Sequence, residues 1–165
     1  MKGRVCLVTG ANTGIGEVTA KALAARGARV IVASRTRERT QPVLDAIAAA
    51  GGDVSFVPLD LASLDSVRAC AEQVLARDEP LHVLVNNAGL AGHQGTTAEG
   101  FELQFGVNHL GHYLLTRLLL DRLKASAPAR IVNVASKAHL KADGIDYEAV
   151  RKPTKTTTAL HEYEV

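Results

Sequence analysis

The chain has 165 residues, 47% of them hydrophobic and 22% charged, enough apolar material for one domain with a sizeable core. Its 19 basic and 17 acidic residues leave a formal charge of +2, which argues against a nucleic-acid or membrane-surface protein by bulk charge. Cys6 and Cys70 lie far apart without metal spacing and read as buried, reduced thiols; no leader-like segment precedes the first structured run and no apolar stretch reaches ~18 residues, so a cytoplasmic protein with no membrane segment is expected.

Short runs rich in Val, Ile and Leu alternate with stretches of helical period. Strands are expected at 4–9, 28–34, 53–59, 81–86 and 129–135. Their apolar residues do not alternate with polar ones, so both faces should be buried, as in a parallel sheet covered by helices. Helices are expected at 14–26, 37–50, 63–77 and 99–124, with Ser63 capping the third and Gly51-Gly52 ending the second. The repetition predicts right-handed βαβ units in an α/β, doubly wound, Rossmann-like parallel sheet of about five strands, carried by residues 1–136. From 137 to 165 the chain is mixed and polar, which predicts a long flexible loop.

The strongest local signal is TGANTGIG, Thr9 to Gly16, between the first strand and the first helix. Gly10 permits a tight turn, Gly14 lets backbone approach a pyrophosphate, and Gly16 lets helix and sheet pack closely. The helix start offers free N–H groups and a positive dipole end to phosphate. No Gly-Lys-Ser/Thr ending follows, which disfavours a P-loop; a glycine turn without a ligand is the bland alternative.

At the end of the second strand, where an NAD site presents an acid, the chain reads Ser34-Arg35-Thr36-Arg37. A guanidinium there can pair with a 2′-phosphate and the neighbouring hydroxyls can add hydrogen bonds, so NADP(H) is favoured over NAD(H). Arg35 is the candidate, with Arg37 and Arg39 as bystanders; a solvated helix start is the plain alternative. Asn86–Gly89 (NNAG) and Ser136 fall at carboxyl ends of strands, beside the crevice of an open α/β sheet. Asn108 shares a helical stripe with Phe101, Phe105, Leu115 and Leu119, so its amide needs a partner. Gly111 costs about 1 kcal/mol against Ala in a helix, which suggests close packing.

In this order, TGxxxGxG, Asp60 after strand three, NNAG after strand four, Asn108 and Ser136 resemble the short-chain dehydrogenase/reductase family, continuously over residues 4 to 136. VNHLGHYLLT (107–116) and RIVNVASKAH (130–139) look most like the branch containing retinol dehydrogenases. The resemblance implies that Gly10, Asn12, Gly14, Ile15 and Gly16 hold pyrophosphate and ribose. Ser34 and Arg35 would hold the 2′-phosphate, Asp60 and Leu61 would flank adenine, and Asn87, Ala88 and Gly89 would line the nicotinamide side. It further implies alcohol–carbonyl interconversion by hydride transfer, with Asn108 and Ser136 in two catalytic roles and a tyrosine in a Tyr-x-x-x-Lys pattern. Tyr147 is followed at its fourth position by Arg151, and Tyr113 by Arg117; Tyr113 is expected to pack.

Tyr163 is the expected catalytic tyrosine, and its partner lysine would stand at position 167, beyond these 165 residues. The expectation is therefore a chain that stops inside the motif, poorly active alone, its lysine supplied by a further segment or a second chain. A free tyrosine has a pKa near 10, so a nearby cation is needed to bring its proton chemistry towards neutrality. The branch points to a small lipophilic alcohol or carbonyl as substrate. The rival of another class is a non-catalytic NADP-binding module. His109 and His112, three apart on a helix, have no third metal ligand and read as packing or hydrogen-bonding groups, so no metal is expected. The family also assembles through helices four and five, which leaves oligomeric state open; 4% aromatic residues without basic interleaving speak against nucleic acid.

Overall fold

A computed structural model describes residues 1–164. Five strands, β1 (Val5–Thr9), β2 (Arg29–Ser34), β3 (Asp53–Pro58), β4 (Val83–Asn86) and β5 (Arg130–Asn133), form one parallel sheet in the order β3-β2-β1-β4-β5. The order reverses at β1: the chain steps outward to β3, then crosses back to lay β4 on the other side. The connections leaving β1 and β4 therefore part, opening a crevice at the carboxyl ends of those strands.

Helices α1 (Gly14–Ala25) and α2 (Arg37–Ala49) cover one face, and α3 (Leu64–Leu75) and α5 (Gly111–Ala125) the other. β1 shows the logic residue by residue. Cys6 and Val8 pack with Ala20, Val43 and Ile47 on the first face, while Val5 and Leu7 pack with Val67, Leu115 and Leu119 on the second. Since both sets must be apolar, the strand carries no polar alternation. Ser63 caps α3 as expected, its hydroxyl accepting from the Ser66 amide.

Two expectations need correction. β5 has no covered faces: all four of its residues are exposed, Ile131 and Val132 at 40% and 46%. The fourth helix does not begin at 99. Gly100 takes a φ of +83°, outside the helical region, and Glu102 instead caps a start at Leu103 by accepting the Phe105 amide. From there α4 (Leu103–Phe105), a π-helical turn (Gly106–Leu110) that contains Asn108, and α5 follow one another without a break.

Residues beyond Ser136 are not a bare loop. They form 3₁₀ turns at Lys137–Lys141 and Ala149–Arg151 and a short helix, α6 (Leu160–Glu164). Val165 lies outside the described residues.

Candidate active site

Thr9, fully buried at the end of β1, organises the crevice. Its hydroxyl oxygen accepts the amides of Asn87 and Ala88, each at 2.9 Å, and the Asn87 side chain donates to the Thr9 carbonyl at 2.8 Å. These bonds hold the loop after β4 against the loop after β1. Gly10, at φ +65°, leaves no room for a side chain: a Cβ would lie 2.8 Å from the Ala88 Cα. Gly16 is tighter still, with a Cβ at 2.4 Å from Asn87 Nδ2 and 2.6 Å from the Gly10 carbonyl. Gly14, at φ +58°, has nothing within 4 Å and faces open space, and Ile15 beside it is 70% exposed. Thr13 begins α1 without a capping side chain, which leaves its first amides available to an anion.

At the ends of β2 and β3 lies a cavity of about 380 Å³ lined by Asn12, Ser34, Arg35, Thr36, Arg39 and Asp60. It gathers Asn12, Ser34, Arg35 and Asp60 from the carboxyl ends of three strands and the loops that follow them. Arg39, expected as a bystander, lines it as well: it sits four residues after Arg35, and the first turn of α2 folds its side chain back over the cavity. Arg37 instead lies over the Phe56 ring, 5.8 Å from its centroid.

The Ser34 hydroxyl contacts Thr40 Oγ1, whose own hydrogen goes to the Thr36 carbonyl at 2.8 Å. Ser34 must therefore donate to Thr40, and its single hydrogen is already used. Asp60 Oδ1 accepts the Ala62 amide at 3.0 Å. The Leu61 side chain is not at the cavity: it is buried in the core against Gly111, where a Cβ would meet the Leu61 carbonyl at 2.7 Å.

On the other side of the switch point, Asn108 sits in the π-helical turn. Its Oδ1 accepts the Leu90 amide and its Nδ2 donates to the Leu90 carbonyl, both at 3.0 Å, which satisfies the amide the apolar stripe left in need of a partner. Gly89 adjoins it, a Cβ there lying 3.4 Å from Asn108 Oδ1. His112 Nδ1 lies 3.2 Å from the Asn108 carbonyl and its Nε2 lies 2.9 Å from the Thr9 hydroxyl. Burial holds this imidazole below its ordinary value of 6.5, against the pull of the Asn108 carbonyl. Tyr113, expected to pack, is 59% exposed with its ring stacked on His109.

Ser136 follows β5 and caps the 3₁₀ turn at Lys137–Lys141, its Oγ accepting the Ala138 amide at 3.1 Å. That bond uses a lone pair and leaves the hydroxyl hydrogen free. α6, which carries Tyr163, packs against this turn, and Lys141 pairs with Glu164 at 2.9 Å. The segment before α6 is strapped to the β4 loop: buried Gln104 accepts the Gly92 amide and donates to the Ala159 carbonyl, and Gln94 donates to the Thr156 carbonyl. Sequence reasoning missed Gln104, although a glutamine amid apolar neighbours is the kind of signal that exposed Asn108. Among the described residues, no hydrogen bond joins Asn108, Ser136 and Tyr163 to one another. Nor does any group of three or more His, Cys, Asp or Glu form a metal site, and no helix is long and apolar enough to cross a membrane.

The model of the short chain dehydrogenase family matches residues 4–147. Retinol dehydrogenase 11 of Homo sapiens is 53% identical over 142 residues, covering 84% of this chain and 45% of that protein. Retinol dehydrogenase 13 of Homo sapiens is 47% identical over 156 residues, 93% of this chain and 47% of that protein. The chain spans about half the length of these curated relatives. Among solved structures, an uncharacterized protein from Mycobacterium Paratuberculosis superposes with a TM-score of 0.84 at 38% identity, over 99% of this chain and 57% of that one. A metagenomic short-chain oxidoreductase in complex with NADP gives a TM-score of 0.74 at 34% identity, over 84% of this chain and 65% of that one. With the glycine turn, the switch-point crevice and the ordered motifs on one continuous sheet, the chain belongs to the short-chain dehydrogenase family.

Proposed function

We propose that this chain carries the NADP(H)-binding part of an oxidoreductase that interconverts an alcohol and a ketone or aldehyde. The observation that carries the reading is the cavity at the ends of β2 and β3, where Arg35 and Arg39 stand beside Asn12 and Asp60, next to a glycine turn whose Gly14 side is open. Two guanidiniums with no acid on the β2 end suit a 2′-phosphate. The NADP named for the metagenomic oxidoreductase supports the same choice.

In this reading Gly10, Asn12, Gly14, Ile15 and Gly16 hold the pyrophosphate and ribose, and Asn87, Ala88 and Gly89 line the nicotinamide end. When bound, the dinucleotide supplies the hydride donor or acceptor. Ser136 donates its free hydroxyl hydrogen to the substrate oxygen. Tyr163, on the helix packed against the Ser136 turn, exchanges the proton with that oxygen. Asn108 braces the loop at Leu90. Two of the similar proteins are named retinol dehydrogenases, which favours an apolar alcohol such as a retinoid as substrate. The buried thiols Cys6 and Cys70 fit a reducing compartment such as the cytoplasm.

A second reading is an NADP-binding module without turnover. Its support is that neither Tyr113 nor Tyr147 is followed by lysine at the fourth position. Fluorescence titration with NADPH and NADH tests the binding common to both. Arg35→Ala should weaken NADPH by roughly 10- to 100-fold, the span of a charge-assisted bond, and leave NADH unchanged. Unaltered NADPH affinity in Arg35→Ala sinks the 2′-phosphate assignment. NADPH-dependent turnover of a lipophilic aldehyde, assayed with and without an appended lysine-bearing helix, separates the enzyme from the module.

A further inference from the structure

We propose that His112 is a positioning residue: a neutral imidazole with its hydrogen on Nδ1, which ties the Asn108 carbonyl of the π-helical turn to the Thr9 hydroxyl and so sets the loop that carries Asn87, Ala88 and Gly89. The inference rests on the reading of the crevice as a dinucleotide site and adds a residue to it.

Hydrogen counting decides the tautomer. The Thr9 hydroxyl has one hydrogen and two lone pairs, and both lone pairs are taken by the amides of Asn87 and Ala88. Its hydrogen must go elsewhere: the choices are His112 Nε2 at 2.9 Å and the Val85 carbonyl at 3.4 Å. The shorter contact makes Nε2 the acceptor. Nδ1 then carries the ring hydrogen and donates it to the Asn108 carbonyl at 3.2 Å. The opposite tautomer would ask the Thr9 oxygen to accept a third hydrogen and would set a bare Nδ1 lone pair against a carbonyl. Both contacts thus select the same form. The ring is 6% exposed, so water does not substitute for either bond.

The result is an unbroken path. Leu90 is clasped by the Asn108 side chain, the Asn108 carbonyl is held by His112 Nδ1, and Nε2 receives the Thr9 hydroxyl that grips Asn87 and Ala88. The loop after β4 is therefore fixed at both ends by groups that His112 connects. Within the π-helical turn Gly106–Leu110, the Asn108 carbonyl lies 3.2 Å from His112 Nδ1.

The test compares two ligands on the unmodified chain and on His112→Phe, which keeps the ring and removes both bonds. 2′,5′-ADP reaches only the adenosine cavity, whereas NADPH also engages the β4 loop. The expected result is a loss of NADPH affinity of about tenfold with 2′,5′-ADP affinity within twofold. Equal losses for both ligands, or no loss for either, overturn the proposal. Long-range proton–nitrogen NMR on the unmodified chain gives a second readout that does not depend on the variant folding: a hydrogen on Nδ1 and none on Nε2 is expected, and the reverse tautomer or a doubly protonated ring overturns it. If the unmodified chain binds neither ligand, the dinucleotide reading fails and the positioning role falls with it, even with the tautomer as expected.

Discussion

Asn108 and Leu90 are joined by two antiparallel hydrogen bonds, the amide side chain of one closing on the backbone N–H and carbonyl of the other, each at 3.0 Å. One side chain thereby satisfies both polar groups of a loop residue that lies against the core. Asn108→Leu should leave both Leu90 groups without partners and destabilise the fold by about 1–3 kcal/mol, read from the urea midpoint at constant m-value. Leu90 amide exchange should accelerate in the same variant. A midpoint within error of the parent refutes the clasp as a structural element.

Two glycines of the first loop, Gly14 and Gly16, should separate under substitution by alanine. Gly16→Ala places a Cβ 2.4 Å from Asn87 Nδ2 and must push apart α1 and the β4 loop, so NADPH binding should be lost. Gly14→Ala meets no protein atom and costs the fold only the strain of a positive φ, on the order of 1 kcal/mol, so it should weaken NADPH, whose pyrophosphate approaches there, more than it lowers stability. Thermal unfolding of the two variants, with NADPH titration beside it, checks the ranking.

Ser34→Ala should matter less for NADPH than Arg39→Ala. The Ser34 hydrogen is already donated to Thr40, whereas Arg39 lines the cavity with donors to spare. About a threefold or smaller change is expected for Ser34→Ala and roughly tenfold or more for Arg39→Ala, since a bond to a charged group contributes about 1.5–3 kcal/mol. The reverse order, measured by fluorescence titration, would mean that Ser34 turns away from Thr40 when phosphate binds.

Stability should fall on mild acidification. Burial lowers the pKa of both His82 and His112 from 6.5, and His82 Nδ1 accepts the Val5 amide at 3.0 Å, which a protonated ring could not do. The unfolded chain then binds more protons than the folded one just below 6.5. Stability is complete above that value and declines as pH drops towards the lower folded values. The urea midpoint should be lower at about pH 5.5 than at about pH 7.5. Glu162 does not enter this window: burial raises its pKa, but hydrogen bonds from Thr156 and Lys155 outweigh it and bring it to about 2, so its contribution is lost only below 4.5.

Neither thiol should react in the folded protein. Burial pushes Cys6 up to about 11 and Cys70 up to about 12, so almost no thiolate exists at neutral pH. Iodoacetamide should label both only after denaturation; labelling of Cys70 in the native chain would contradict its burial.

Sequence by itself determined the sheet, because the constraint acts locally. A strand buried on both faces must be apolar at every position, and Val5 to Val8 and Val30 to Ala33 satisfy that without reference to their neighbours. The glycine turn was equally legible, since a positive φ at Gly10 and the absence of space at Gly16 demand one residue type. What only the tertiary structure decided are relationships between distant residues of unremarkable type. Arg39 lines the cavity because the first turn of α2 folds it back, and Leu61 leaves it because Gly111 makes room in the core. β5 lies open because a strand's faces are covered by elements packed on them from elsewhere in the chain, which its own apolar composition does not record. The π-helical turn at Asn108 and the tautomer of His112 depend on where Thr9 and Leu90 arrive in space. A hydrogen bond needs distance and direction, and those exist only once the chain has folded.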